Sequence, residues 1–423
     1  METYGKILLI AMPIFLFFVL FEKWYGWKKG YDTVNNMDMI SSLSSGITNV
    51  TKDVLGLSIG ILSYGFMVKH LALFNIQNTI LVYFVAFIAI DFQGYWIHRW
   101  SHHINIFWNK HLIHHSSEEF NLACALRQSI SSIFQLFTFL LLPAAILGVP
   151  QIVIATILPI HLFAQFWYHT RHINKMGILE KIIVTPSHHR VHHAINKEYL
   201  DKNLGQIFIF WDKLFGTYQE ELKNVEPVYG ITRPVKTWNP IKINYQHLWL
   251  LILDAWRTKS LWDKCRIWFL PTGWRPLDVE EKFPVNKIED PYRFEKYNPK
   301  ASTGLQIWIW FQISITLTFA SYLFYNIANI GSPQIFIYGA FLFLMVYAYT
   351  ELMDRSNLAL LFEMIKNCFG FYIIYSTNDW FKVSLIIPNI HYFLYSYFIL
   401  SALITSYFIF KIFKEDNDLN LSI

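Results

Sequence analysis

The sequence predicts an all-α integral membrane protein, a multi-pass helical bundle bearing a histidine-rich cap, and three observations predict it. Of 423 residues, 54% are hydrophobic and only 15% charged, too apolar a balance for a water-soluble globule. Apolar windows near the length of a bilayer crossing recur in two blocks on either side of a polar middle. Histidine is concentrated, with 13 of 16 between His98 and His193.

The first apolar window, residues 7–21, reads as a retained anchor. Only Lys6 precedes it as a basic flank, and Phe21-Glu22-Lys23-Trp24 offers no small-residue cleavage site. Further spans are expected at 54–74, 79–96, 130–147 and 151–168, with Gly148-Val149-Pro150 breaking a helical hairpin between the last two. The second block is expected at 305–327, 334–350, 358–375 and 383–410. The chain therefore divides into N-terminal membrane helices at 1–78, a histidine-bearing region at 79–225, a polar connecting region at 226–304 and C-terminal membrane helices at 305–423. There is no internal repeat and no low-complexity tract.

Charge sets the expected orientation. The connections 75–78, 148–150 and 329–334 contain no Lys or Arg, whereas 23–52, 99–127 and 171–300 contain many. By the positive-inside rule the basic side, which also holds the histidines, is cytoplasmic. The net charge of +5 is spread over these flanks, so the bilayer is the expected partner and nucleic acid is not. Cys124, Cys265 and Cys368 lie far apart with no C-x-x-C spacing, which argues against both a disulfide framework and a thiolate metal site.

The histidines carry the chemistry. His98 and His102 are four apart, His111, His114 and His115 follow an i, i+3, i+4 pattern, and His189, His192 and His193 repeat it. On a helix such residues project from one face, so each set presents imidazoles to a common point. Imidazole is a neutral ligand for zinc, iron, copper or nickel, and eight of them exceed what one tetrahedral ion uses. Two metals are expected, or one with many supporting imidazoles. Asp91, seven residues before His98, is placed to orient an imidazole through its second N–H, the alternative being a solvent-facing interfacial carboxylate. His70, His247 and His391 read as satisfied structural histidines.

The series HRWSH at 98–102, HLIHH at 111–115 and HRVHH at 189–193 resembles the three histidine boxes of the fatty acid hydroxylase and sterol desaturase superfamily. The wider strings at 91–102, 114–129, 165–170 and 185–193, with WDKLFGTY at 211–218, resemble the alkylglycerol monooxygenases more closely than the sterol or fatty-acyl hydroxylases. The resemblance covers roughly residues 80–220, about a third of the chain. It implies a cap holding two irons, with zinc able to occupy the same nitrogens in a purified sample. The implied ligands are His98, His102, His111, His114, His115, His189, His192 and His193, with His169 of QFWYHT as a ninth. His188 and His172 stand beside these as supporting groups, and His103 and His161 match no box position.

The reaction implied is O2-dependent hydroxylation of a lipid C–H bond, at the ether-adjacent carbon of an alkylglycerol, yielding a fatty aldehyde and a glycerol product. Zinc, lacking redox chemistry, could not activate dioxygen, which favours iron. Tetrahydrobiopterin is the electron donor the resemblance suggests, and no pterin-binding motif is recognisable. Glu118, Asn121 and Arg127, after the second box, are expected either to bind the glycerol end of the substrate or to brace that box. A fatty-acyl or sterol hydroxylase or desaturase is the alternative within the superfamily. A histidine-rich metal transporter is a distant one, since its ligands would lie near the bilayer midplane. In the C-terminal block, Glu363 and Lys366 are expected to pair, while Glu351, Asp354 and Arg355 mark the end of a span.

Overall fold

The computed structural model describes residues 2–57, 59–60, 63–77, 79–132, 134–135 and 137–420. The first half of the chain forms helices α1 (Glu2–Lys29), α2 (Asn36–Val54), α3 (Tyr64–Leu71), α4 (Ile80–His103), α5 (Asn105–His115), α6 (Leu142–Ile146) and α7 (Gln151–Phe163). The middle adds α8 (Pro186–His192), α9 (Phe210–Phe215), α10 (Pro240–Arg257), α11 (Leu261–Arg266) and α12 (Leu277–Lys282). The C-terminal block is α13 (Thr303–Ile330), α14 (Gln334–Met353), α15 (Leu358–Thr377) and α16 (Ile390–Asn420). Extended pairing among the described residues is minor, a two-residue parallel contact of Ile59–Gly60 with Phe134–Gln135 and two isolated bridges. The fold is all-α.

Among the described residues six helices are long and apolar enough to cross a membrane: α1, α4, α13, α14, α15 and α16 as far as Glu415. The protein is a multi-pass membrane protein. Three expected spans are corrected. The window 54–74 breaks, because α2 ends at Val54 and α3 has only eight residues; residues 58, 61 and 62 lie outside the described residues. The window 130–147 resolves, where described, into a short 3-10 turn and α6, and 151–168 holds only the 13-residue α7, interrupted by Pro159. Pro143 and Pro159 remove helix N–H donors, and Gly148 takes φ +82° in the turn where the sequence placed the break. These short helices pack on α4 through Tyr64, Met67, Ala86, Ile90, Val153 and Ile157 as a small apolar cluster of their own.

α2 is the internal strut. Asn35 caps it by accepting from the N–H groups of Met37 and Asp38. It is buried almost throughout, and its serines discharge their hydroxyls within the fold: Ser42 donates to Asp38 O at 2.9 Å and Ser41 to Trp238 O at 2.7 Å. α1, α13 and α14 pack around it in the main core, which contains Ile40, Phe324, Phe341 and Phe398. α13 to α16 run as successive antiparallel neighbours. Gly370 lets α15 meet α16 closely, since a Cβ there would lie 2.4 Å from the Phe398 ring.

The polar connecting region is docked onto the ends of this block. Asp354 accepts from Trp238 N at 2.7 Å, from the Tyr297 hydroxyl at 3.0 Å and from Thr237 Oγ1. Glu351 takes Asn239 Nδ2 at 2.9 Å and Lys242 Nζ at 2.5 Å. Arg355 reaches Lys300 O and Glu415, so the ends of α14 and α16 and the start of α13 share one side.

Glu363 and Lys366 do pair, at 2.7 Å, inside the C-terminal block. Ser401, Asn367, Gln312 and Tyr397 complete a closed hydrogen-bond network around them. Breaking one partner of a buried pair strands the other charge, whereas replacing both with apolar residues does not. Glu363→Ala is expected to cost about 3–5 kcal/mol, and the double variant Glu363→Leu, Lys366→Met to recover most of it, read as thermal unfolding in lipid nanodiscs.

Candidate metal centre

The three histidine boxes converge. α4 delivers His98 and His102 one turn apart at its end, α5 delivers His111, His114 and His115, and α8 with its C-cap delivers His189, His192 and His193. Pro186 at the first position fixes the start of α8, and the Thr185 N–H reaches back to His188 Nδ1. His169 comes from the irregular chain after α7.

Two groups form. In one, nitrogens of His98, His102, His111, His115 and His192 all lie within 4.8 Å of one another; in the other, those of His114, His169, His189 and His193 do. The groups adjoin, since the His115 and His193 rings stack at 4.3 Å between centroids.

Ring orientation is fixed from behind. His98 Nδ1 lies 2.8 Å from Leu204 O, His192 Nδ1 3.0 Å from Lys202 O and His169 Nδ1 3.0 Å from Gln165 O. A carbonyl can only accept, so each Nδ1 carries the proton and each Nε2 presents a lone pair. His102 Nδ1 faces the Asp201 carboxylate at 3.0 Å, with the same result. The Nε2 atoms then confront one another: His189 to His169 at 2.8 Å, His193 to His189 at 3.0 Å, His115 to His111 at 3.0 Å and His192 to His115 at 3.1 Å. The Nε2 atoms of His98 and His102 are buried with no hydrogen-bond partner.

The surroundings disfavour protonating these rings. Burial first, and neighbouring rings second, hold His111, His115, His189, His192 and His193 well below the ordinary imidazole range, and burial brings His114 to about 3. Neutral imidazoles whose nitrogens converge on shared centres are a donor set that fits soft-to-intermediate divalent metals.

The supporting groups are partly those expected. Asp91 does orient an imidazole, that of His161 at 2.7 Å, which belongs to neither group. Its carboxylate also accepts from Ile207 N, Phe208 N and Trp211 Nε1 and so anchors the loop whose Leu204 carbonyl holds His98. Asp212 secures the same loop through Leu204 N and Gly205 N. His188 and His172 stand apart from both groups, His188 turned to Thr185 and His172 bonded to Thr33. His103, exposed, bonds Arg99 O. Asp201, Asp212 and the carbonyls of Lys202, Leu204 and Gln165 were missed by sequence reasoning. Backbone carbonyls leave no sequence signal, and the two aspartates carry no spacing that ties them to the boxes.

Of the two roles expected for Glu118, Asn121 and Arg127, the contacts of Arg127 and Asn121 are those of braces. Arg127 is 1% exposed and bonds Asp38 at 2.6 Å, Ser116 Oγ at 2.8 Å and Ser42 Oγ at 2.9 Å, tying α2 to the residue after the second box. Asn121 donates to Thr33 O and accepts from Ala123 N. Glu118 accepts from Tyr297 N, and burial raises its carboxyl to about 7.

The open space lies elsewhere. A cavity of about 260 Å³ is lined by His102, His115, His192 and His193 and by the apolar side chains of Trp108, Leu112, Ile231, Leu250 and Leu251. It also meets Arg233, Gln246 and Thr272, where Gln246 Oε1 and Thr272 Oγ1 are buried without partners.

With this geometry, likeness to known proteins becomes interpretable. The fatty acid hydroxylase family profile matches residues 83–217, which bear all nine grouped histidines. Human alkylglycerol monooxygenase is 34% identical over 372 residues, covering 86% of this chain and 81% of the human protein. The chain belongs to the alkylglycerol monooxygenase family. The Xenopus tropicalis alkylglycerol monooxygenase is 30% identical over 87% of this chain and 83% of its own length. A Delta(7)-sterol 5(6)-desaturase of Aspergillus fumigatus is 30% identical over 144 residues, 32% of this chain and 38% of its own. No solved structure matches significantly. As a member of the alkylglycerol monooxygenase family, the protein is an O2-dependent membrane oxidoreductase acting on lipid. The match to that family extends through most of the chain, whereas the sterol enzyme matches about a third of it.

Glu118 gives a pH dependence with a definite sign. Its folded carboxyl is held near 7 against an ordinary value of 4.5, so its contribution is fully present below about pH 4.5 and is lost as pH rises through 7. Glu118→Gln should therefore unfold at a higher temperature than the parent at pH 8, with the difference vanishing towards pH 4.5, as measured by thermal unfolding in nanodiscs.

Proposed function

We propose that the two histidine groups hold two iron ions and that the protein hydroxylates the ether-adjacent carbon of an alkylglycerol. The convergence of nine desolvated imidazoles on two adjoining centres carries this reading. His98, His102, His111, His115 and His192 would hold one ion, and His114, His169, His189 and His193 the other. Bound iron would supply the redox chemistry that activates dioxygen; zinc in a purified sample would occupy the same nitrogens without it.

The chain's own part is positioning and exclusion. Leu204, Lys202, Gln165 and Asp201 fix the ring tautomers, keeping every Nε2 lone pair directed inward. The cavity at His102, His115 and His192 is the proposed chamber for the ether end, its apolar wall of Trp108, Leu112, Leu250 and Leu251 excluding water from the alkyl chain. Gln246, Thr272 and Arg233 offer hydrogen bonds to the glycerol end. Arg127 holds the residue after the second box against α2, while Asn121 ties the following chain to Thr33 and Glu118 ties it to Tyr297.

The overall reaction balances as R–CH2–O–glycerol plus O2, two electrons and two protons giving R–CHO, glycerol and water. The hydroxylated carbon is a hemiacetal, whose C–O bond breaks as the hydroxyl proton leaves. Tetrahydrobiopterin is the proposed donor of the two electrons, on the family likeness alone. The division into regions 1–78, 79–225, 226–304 and 305–423 follows these roles. A cytoplasmic histidine cap is the orientation that the basic flanks support by the positive-inside rule.

Iron-loaded protein offered alkylglycerol, free fatty acid and sterol under O2 is expected to release fatty aldehyde from the ether alone. Oxidation confined to the acid or sterol would replace this reading with that of an acyl or sterol hydroxylase. Asp201→Ala should weaken metal retention about 10–100-fold by freeing the His102 ring, measured by metal content after graded chelation; unchanged retention would remove Asp201 from the centre.

A further inference from the structure

α10 has two faces in different surroundings. Gln246, His247, Leu250 and Leu251 line the cavity beside the histidines. Tyr245, Trp249, Ile252 and Trp256 repeat at helical spacing on another face and are uncovered, Trp249 at 60% exposure and Trp256 at 82%. α11 and the chain after it extend the surface with Leu261, Trp262 and Phe269, at 77%, 68% and 69%. Between Lys242 and Arg257 the only charged residue is Asp254, which is buried against Arg275. Arg257, Lys259, Lys264 and Arg266 gather at the end of the row. A contiguous aromatic surface with cations at its margin suits the boundary between lipid headgroups and acyl chains.

The position of α10 relative to the membrane is fixed by two anchors. Its start is bound through Asn239 and Lys242 to Glu351, in the last turn of span α14. Its middle is bound through His247 and Leu248 to Asn105 and Asn109, just past the end of span α4. The chain after α11 returns to that same end, where Asn105 N and Ile106 N donate to the carbonyls of Leu270 and Trp268. One helix therefore bridges the ends of two candidate spans.

We propose that α10 and α11 lie in the plane of the bilayer surface, with Trp249, Ile252, Trp256, Leu261, Trp262 and Phe269 seated at the headgroup–acyl boundary. α10 is then the wall between bilayer lipid and the cavity. Resting on the reading of that cavity as the substrate chamber, lipid enters it sideways past α10 from the leaflet, without crossing water.

Cys265 sits exposed in α11 between Trp262 and Phe269, and Cys124 is buried, so Cys368→Ser leaves Cys265 as the accessible thiol. Full-length protein carrying a nitrobenzoxadiazole dye on Cys265 is placed in phosphatidylcholine–phosphatidylglycerol nanodiscs. Bromines on the acyl chains near the headgroup should quench the dye several-fold more strongly than aqueous iodide. Quenching by iodide with no effect of bromolipid overturns the placement. So does dye self-quenching that rises with copies per disc while bromolipid is silent, which would assign the surface to a second copy of the chain.

The double variant Trp249→Glu, Trp256→Glu separates the entry route from the chemistry. Turnover of a bilayer-embedded long-chain ether lipid should fall several-fold, while a water-soluble short-chain alkylglycerol is turned over as in the parent. Equal loss on both substrates overturns the lateral route. A parent inactive on both, with bromolipid quenching intact, would refute the proposed reaction and leave the membrane placement standing.

Discussion

The rest of the structure depends on the desolvation of neutral imidazole lone pairs. A histidine ring in water finds partners for both nitrogens; here at least four rings spend Nδ1 on a carbonyl or carboxylate and turn Nε2 towards one another in a buried space. Lone pairs so directed give up their hydration and need a partner in return. The arrangement persists only if the surrounding helices hold it more strongly than the rings repel. Metal ions held between the rings would convert the same repulsion into binding energy.

That holding force comes from braces remote from the rings. Arg127 joins α2 to the end of the second box through Asp38, Ser42 and Ser116, all inside the protein. Asp91 and Asp212 each gather several N–H groups of the stretch at 202–211, whose Leu204 and Lys202 carbonyls face His98 and His192. A charged residue beside a metal box therefore need not meet substrate. In this fold such residues do the mechanical work of aiming the ligands, and the substrate chamber proposed is left to apolar side chains and a few neutral polar ones.

The C-terminal block contributes by docking. Glu351 and Asp354 at the end of α14 receive Asn239, Lys242, Trp238 and Tyr297, which fixes the polar connecting region and the start of α10. The same block wraps α2, whose other side carries the Arg127 brace. Its membrane helices are thus joined mechanically to the histidine cap, which gives a physical reason for family likeness extending through most of the chain rather than stopping at the boxes.

The sequence by itself determined the class of the protein and its ligand types. Composition required a membrane, i, i+3, i+4 spacing required rings on common helix faces, and the ordered boxes pointed to one superfamily. Long uniform spans such as α1, α4 and α14 were legible because hydropathy over 18 or more residues is a local property. The windows at 54–74, 130–147 and 151–168 misled because apolar runs broken by proline and glycine pack equally well as short helices against α4. Only the tertiary structure decided how nine histidines divide into two groups, that Asp91 holds a loop rather than a box imidazole, and that Arg127 is a buried brace. Those outcomes depend on which distant backbone carbonyls and carboxylates arrive beside a side chain, and a linear pattern of residue types carries no record of that.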